Sequence, residues 1–425
     1  MRLWLFVECP LSATEHYREA MPSASHLISM EEHRARILRA VRPSAPEPVP
    51  LDDALGLALA ADIANRWPVP LFDNSAMDGY AVRRSDAEAG AVLRVVADVP
   101  AGSDLDPALA RGEAARIMTG AAMPTDADAV VPLEDTDLGV GLTDLPERIT
   151  VTRTPEPSAF VRRRGADAAA GSVVVAAGTE LGPWQLSAIA AAGHDHVQVH
   201  RAPRVAVIST GSELVPPAET PRRGQIPESN SALLTAAVRA TGADVVRVVT
   251  VPDDESALRA ALVDQDLDAF VLSGGVSVGA YDVVKAVLSH DGDVRFDRVA
   301  MQPGKPQGFG TTADGTLVFC LPGNPVSVAV SFEMFVRPAL RALGGHRQID
   351  RPRVTRTAAT SWTCPEGRAQ ILPVVVDQAT VRPASHGGSG SHHVSTLAAA
   401  TALAIIDADV DRVEEGDAVS VMMLP

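Results

Sequence analysis

Lysine is almost missing from this 425-residue chain. Of its 37 basic residues only Lys285 and Lys305 are lysines, and the rest are arginines. Lys offers a compact, flexible point charge where Arg offers a planar fork, so the two exceptions single out the stretch 285–305. Positive charge is scarce as a whole: 53 acidic residues leave a net charge of −16. An acidic surface repels nucleic-acid phosphates and anionic membranes, so neither is an expected partner. Aromatics are 4% of the chain, and the cores must be built from Ala, Val, Leu and Ile. The three cysteines, Cys9, Cys320 and Cys364, form no CxxC pair and no disulfide framework, which fits a reducing, cytoplasmic location. No run of 18 apolar residues exists, so no transmembrane helix is expected. The apolar stretch after Arg2 is broken by Glu8 and Pro10 and is too short for a signal peptide. Residues 1–27 read as an N-terminal extension or as a start codon placed too early.

Motifs are missing too. There is no GxSxG elbow, HExxH or GxxxxGK[ST] loop, and the histidines match no zinc spacing. Common hydrolase and P-loop mechanisms lose support. What remains, 46% hydrophobic and 21% charged residues, is ordinary for a folded protein of about three domains.

The chain divides by periodicity. Ser29 and Glu32 open a capping-box helix whose apolar residues include Ile37, Leu38 and Val41. A Pro-rich stretch ends it, and a short helix is expected over 51–63. Residues 28–65 and 158–200 are read as one mixed helical linker domain, interrupted by a β-rich inserted domain at 66–157. Over 201–345, strand-like runs such as RVAVIST and LDAFVLS alternate with helical ones. That spacing predicts a mostly parallel α/β domain covered on both faces. Short alternating runs over 350–425 predict a small C-terminal β domain, barrel-like. The fold class is multidomain α/β.

In open α/β sheets ligands bind beyond the C-terminal strand ends. Three such ends carry Gly- or Ser-rich turns here. They are Ser209-Thr210-Gly211-Ser212-Glu213, the turn from Ser273, Gly274 and Gly275 through Ser277 to Gly279, and Leu321-Pro322-Gly323-Asn324-Pro325 running on to Ser327. Backbone N–H groups in such turns bind anions, and glycine allows close approach. A phosphate-bearing ligand is inferred. Glu213 and Asp282 put carboxylates beside this cradle, and like charges repel. A hard divalent cation between them, Mg²⁺, would resolve the conflict. Lys305, in the loop Met301-Gln302-Pro303-Gly304-Lys305-Pro306, can face an oxyanion as a point charge.

FDNSAMDGYAV (72–82), RIMTGA (116–121), STGSEL, SGGVSVG, PGKP and LPGNPVS together resemble, in order and spacing, the molybdopterin molybdenumtransferase family, MoeA in bacteria and the E domain of gephyrin in animals. The resemblance covers residues 28 to 425. It implies an enzyme that inserts molybdate into adenylylated molybdopterin with Mg²⁺, releasing AMP and molybdenum cofactor. It also implies an elongated homodimer of four-domain subunits, with the α/β domain binding the pterin nucleotide in a cleft shared with the partner's β domain. Adenylyltransferase and molybdoenzyme partners are implied with it. Carried over, Asp78, Thr119, Glu213, Asp282 and Lys305 match catalytic positions, and Asp78, Glu213, Asp282 and one of Asp253 and Asp254 match metal positions. Asp167 matches a further acidic position, and Arg368 and Ser391 look like C-terminal site residues. Gln302 stands where many relatives have a lysine, Arg298 where some do, and Ala166 where they often have Glu. The competing readings are the adenylyltransferase of the preceding step, a non-catalytic scaffold like the gephyrin E domain, and a relative selective for tungstate.

Overall fold

Ser29 opens the first helix as its sequence predicts. Its side chain accepts a hydrogen bond from the Glu32 N–H at 3.1 Å and caps helix α1 (Met30–Ala40). This computed structural model describes residues 27–141, 144–263, 266–276, 283–291, 293–385 and 394–425. The extension expected over 1–27 therefore lies outside the described residues except for Leu27. The described residues form two compact units, one of residues 27–45 with 201–425 and one of residues 46–200.

Within 46–200, the two ends of the segment pair with each other. Pro46–Pro50 runs antiparallel to His196–His200, which also pairs with Ala58–Leu59. The helix expected over 51–63 does not form. A single 3-10 turn at Leu51–Asp53 is followed by Gly56 at φ +81°, a left-handed residue that turns the chain into short strands at Ala58–Leu59 and Ile63–Ala64. Helix α2 (Pro183–Ala191) starts with Pro at its first position. It buries Ile189 against Leu59, Leu181 and Val199. The middle of the unit is a five-stranded sheet in the order 129–132, 79–82, 113–117, 92–99, 148–150. Gly79–Val82 is buried on both faces, Tyr80 and Val82 in one core and Ala81 in another. Gly79 lies so close to its neighbour strand that a Cβ would sit 2.2 Å from the Val131 carbonyl oxygen.

In the other unit, α1 buries Met30, Ile37 and Val41 in one core with Val205, Phe319, Phe335 and Leu340. The reading that joined residues 28–41 to 158–200 is corrected on this point. The apolar stripe of α1 is completed by the central sheet, and polar contacts add to it. Asp297 accepts a hydrogen bond from Arg36 and pairs with His33 at 3.7 Å. Burial opposes the Asp297 charge, but the nearby His33 ring, the Arg36 hydrogen bond and the Arg36 and Arg295 charges outweigh it and hold the carboxyl at about 2.

The central sheet has six strands: β1 (Arg204–Thr210), β2 (Asp244–Val251), β3 (Ala269–Ser273), β4 (Arg295–Arg298), β5 (Pro306–Thr311) and β6 (Leu317–Leu321), in the order β2-β1-β3-β6-β5-β4. The first four in that order are parallel, and β5 and β4 are antiparallel. Helices α3 (Asn230–Arg239), α4 (Glu255–Ala261) and α5 (Val283–Asp291) connect the strands. After β6, α6 (Pro325–Ser331) and α7 (Arg337–Leu343) flank a π-turn at Phe332–Val336. Strand β1 shows why both faces are covered. Val205 and Val207 enter the core with α1, α3, α6 and α7, while Ala206 and Ile208 enter the core with α4 and α5. The chain leaves β1 toward β2 and returns to β3 on the other side, so the strand order reverses between β1 and β3.

The C-terminal strands 353–358, 369–377, 380–383, 402–406 and 418–423 close into a five-stranded barrel, because 369–377 pairs with both 380–383 and 402–406. Met301 and Gln302 pair in parallel with Ala369 and Gln370. This pairing stitches the barrel to the loop that carries Lys305.

Candidate functional site

A cavity of about 710 Å³ opens at the C-terminal edge of the parallel strands, where the order reverses. Thr210, Gly211, Gly274, Gly275, Gly323 and Asn324 line it, so all three predicted turns meet there. Gly274 sits at φ +94°, and a Cβ on it would fall 2.4 Å from the Thr210 carbonyl oxygen. Only glycine lets the turn after β3 lie against the end of β1. A Cβ on Gly323 would sit 3.5 Å from the Gly274 Cα, so the turn after β6 rests on the turn after β3.

Not every predicted cradle residue faces the cavity. Ser209 and Ser273 are buried beneath its floor, where the Ser209 Oγ contacts the Ser273 and Ser231 hydroxyls at 3.0 Å and donates to Glu228 Oε1 at 3.0 Å. Ser327 is buried in the first turn of α6. The Ser209, Ser231 and Ser273 hydroxyls tie β1, β3 and the start of α3 together. Glu228 is itself buried and also accepts from the Ser231 N–H at 2.9 Å. Asn230, at the first position of α3, donates from Nδ2 to the Gly323 carbonyl at 2.8 Å. Sequence reasoning passed over both Glu228 and Asn230. Polar residues just before a helix read locally as a solvated cap, and only burial distinguishes them. The Pro227 that precedes them was the one available signal.

The cavity lining carries charges of both signs. Glu213 and Asp253 line it, opposite in charge to Lys305 and Arg298. Asp253 is held in place by a reciprocal pair: Ser212 N–H donates to Asp253 Oδ2 at 3.0 Å, and Asp253 N–H donates to Ser212 Oγ at 3.1 Å. Asp254 caps α4, accepting from the Ala257 N–H at 2.8 Å, and hydrogen bonds from Ser256 and Ala257 lower its pKa. Of the two adjacent acidic candidates, the cavity takes Asp253 and the helix takes Asp254. The Glu213 carboxylate folds over Gly211, where a Cβ would lie 2.6 Å from Oε2. Burial and the neighbouring charges of Arg298 and Arg368 push the Lys305 ammonium below its usual value. Arg368 therefore belongs to the same cationic group. Lys285 does not line the cavity. Its ammonium lies 5.8 Å from the centre of the Phe296 ring.

Asp78 and Thr119 meet in the 46–200 unit. The Thr119 N–H and hydroxyl donate to Asp78 Oδ1 at 2.7 and 2.8 Å. These bonds, the backbone one foremost, lower the Asp78 pKa. Asp73 accepts from the Arg163 guanidinium at 2.6 Å and the Arg164 N–H at 2.7 Å, so the basic run there is partly neutralised by its own unit. The Asp167 N–H donates to the Val69 carbonyl at 3.0 Å. Ser277, Gly279, Asp282 and Ser391 lie outside the described residues. Among the described residues no group of three or more His, Cys, Asp or Glu is placed to hold a metal ion. Glu213 and Asp253 nonetheless supply hard oxygen donors on one wall. One or two carboxylates completed by substrate phosphates suffice for Mg²⁺.

Residues 28–193 match the family model of the MoeA N-terminal region (domain I and II), 206–342 that of the probable molybdopterin binding domain, and 355–424 that of the MoeA C-terminal region (domain IV). A molybdopterin molybdenumtransferase 2 from Mycobacterium tuberculosis is 42% identical over 402 residues, covering 91% of this chain and 97% of the relative. The molybdopterin molybdenumtransferase of Haemophilus influenzae is 33% identical over 403 residues, covering 93% and 98%. The crystal structure of a molybdopterin biosynthesis MoeA protein from Pyrococcus horikoshii OT3 superposes with a TM-score of 0.81 at 28% identity, over 94% of this chain and 100% of that one. With relatives of this identity matched over nine-tenths of its length, the chain belongs to the MoeA family of molybdopterin molybdenumtransferases.

Proposed function

We propose that this protein is the transferase that inserts molybdate into adenylylated molybdopterin in molybdenum cofactor biosynthesis, releasing AMP. The observation that carries this reading is a single cavity at the strand-order reversal that is lined by Glu213 and Asp253, by Lys305 and Arg298, and by three glycine turns. Molybdate is a tetrahedral dianion, and Lys305, Arg298 and Arg368 provide a cluster of positive charge for it. The glycine turns expose amides to the substrate's phosphates. Glu213 and Asp253, with Asp282, would hold Mg²⁺ against the pyrophosphate. When bound, Mg²⁺ neutralises charge that builds up as the phosphoanhydride breaks. Asp78, kept ionised by Thr119, would join this site from the second subunit of a homodimer. A cytoplasmic location belongs to the same reading and rests on Cys320 and Cys364, which are in no disulfide. No helix among the described residues is long and apolar enough to cross a membrane.

The test is to incubate the protein with adenylylated molybdopterin, Mg²⁺ and molybdate, and to follow AMP. Release that depends on molybdate is expected. Turnover of ATP and free molybdopterin into the adenylylate would instead identify the enzyme of the preceding step.

A further inference from the structure

Lys305 lines the cavity, and the charges of Arg298 and Arg368 oppose its own. Like charges drive such a loop outward, so the backbone under Lys305 must be held. A peptide group is planar, and each residue has only two soft backbone dihedrals. Fixing the peptide planes on both sides of a Cα therefore fixes the direction in which its side chain leaves. The plane after Lys305 is held, because the Lys305 carbonyl accepts from the Val299 N–H at 2.7 Å. The plane before it contains the Gly304 carbonyl. Gly304 sits at φ +96°, and a glycine by itself leaves that plane free to turn.

Gln307, on β5, supplies the missing restraint. Its Nε2 donates to the Gly304 carbonyl at 2.6 Å and to Ser331 Oγ at 2.7 Å. A carbonyl only accepts, so the nitrogen end of the amide must face Gly304. Both N–H groups are then engaged, one on the loop and one on the last residue of α6. The group is closed to water: Gln307 is 1% exposed and Ser331 0%. It is also tight, since a Cβ on Gly304 would lie 3.0 Å from Ser331 Oγ and 3.3 Å from Gln307 Nε2. Burying an amide costs free energy that an apolar side chain would not. Here that cost is offset at the one carbonyl whose orientation sets Lys305.

We infer that Gln307 is a positioning residue of the oxyanion site: by fixing the peptide in front of Lys305, it sets the line along which the Lys305 side chain enters the cavity. This inference rests on the reading of Lys305 as a cation for molybdate and adds the residue that directs it.

Gln307→Met keeps an unbranched side chain of similar reach and removes both donors. It is read against Lys305→Ala in a double-mutant cycle on the full chain, with molybdate-dependent AMP release as the assay. Arg298 and Arg368 remain in Lys305→Ala, so its release stays measurable. Alone, Gln307→Met is expected to raise KM for molybdate about 5- to 10-fold, the equivalent of one neutral hydrogen bond, with KM for adenylylated molybdopterin unchanged. In the Lys305→Ala background the same change is expected to raise it no further. A merely structural role would act equally in both backgrounds, and that result overturns the inference. An unchanged molybdate KM, or a matching rise for adenylylated molybdopterin, overturns it as well. If Gln307→Met fails to fold, Gln307→Glu carries the same cycle, since it keeps the shape and has at most one proton for the two acceptors. If the unmodified protein releases no AMP with molybdate, the functional reading itself fails and this inference with it.

Discussion

Asp78 and Glu213 sit on turns of different units and are bonded in opposite ways. Asp78 is held by two hydrogen bonds from Thr119 and kept in its charged form by them. The Glu213 side chain makes no hydrogen bond or ion pair with any described residue and lies folded over Gly211 in the cavity wall. A carboxylate saturated by its own protein is pre-set in position and charge. One left open keeps its lone pairs for what enters the cavity. Asp297 is the extreme of the first kind, buried and engaged by Arg36, Arg295 and His33. The comparison teaches that tied carboxylates should matter to stability and pH response, and open ones to chemistry.

The sharpest way to break the comparison is Glu213→Ala. Because the side chain has no partner among the described residues, Tm should stay near that of the parent, while Mg²⁺-dependent AMP release should fall by at least about 100-fold, as when one preorganised charge-stabilising group is removed. Retained release from purified, folded variant would falsify the role of Glu213.

Asp297→Asn should do the reverse. The folded pKa is depressed from 3.8 to about 2. The carboxylate therefore contributes stability that is present above 3.8 and is lost as pH falls through about 2. The variant should be less stable by about 2 kcal/mol at neutral pH, and the gap in urea unfolding should shrink as the medium is acidified below the ordinary carboxylate pKa. A gap that stays constant down to the folded-state pKa would mean that charge is not the cause.

Adjacent residues sharpen the same contrast. Asp253→Ala should lower AMP release by about tenfold and, by removing the acceptor of the Ser212 N–H, lower Tm slightly. Asp254→Ala should lower Tm by a few degrees through loss of the α4 cap and leave AMP release unchanged. Activity assays and calorimetry on the pair would expose a reversed assignment directly.

The smallest effect is expected for Thr119→Val. It removes one of the two bonds to Asp78, so the Asp78 pKa rises toward its ordinary value. The acid limb of the pH–rate profile should move to higher pH, with a loss of only a few-fold at neutral pH. A profile superimposable on that of the parent would separate Asp78 from the reaction.

Much of this was readable before any coordinates. Apolar runs that end in Gly, Ser and Pro mark parallel strands and their turns because both signals are local, and all three predicted turns line the cavity. The Ser29 cap was equally local. Other features were not legible. The helix expected over 51–63 yields to Gly56, whose left-handed conformation a hydrophobic count does not register. The partner of α1 depended on which distant face completed its apolar stripe. Of the two lysines, Lys305 faces the cavity and Lys285 lies over Phe296.

By itself, the order of residues determined where strands, turns and caps form, and which family the motifs resemble, because those depend on neighbours a few positions apart. Tertiary structure alone decided that Asp253 and not Asp254 faces the cavity, that Ser209 and Ser273 brace its floor, and that Glu228 and Asn230 are buried beside it. Burial and pairing are set by segments far apart in the chain, and the strength of a polar group's bonding depends on which of those segments excludes water from it.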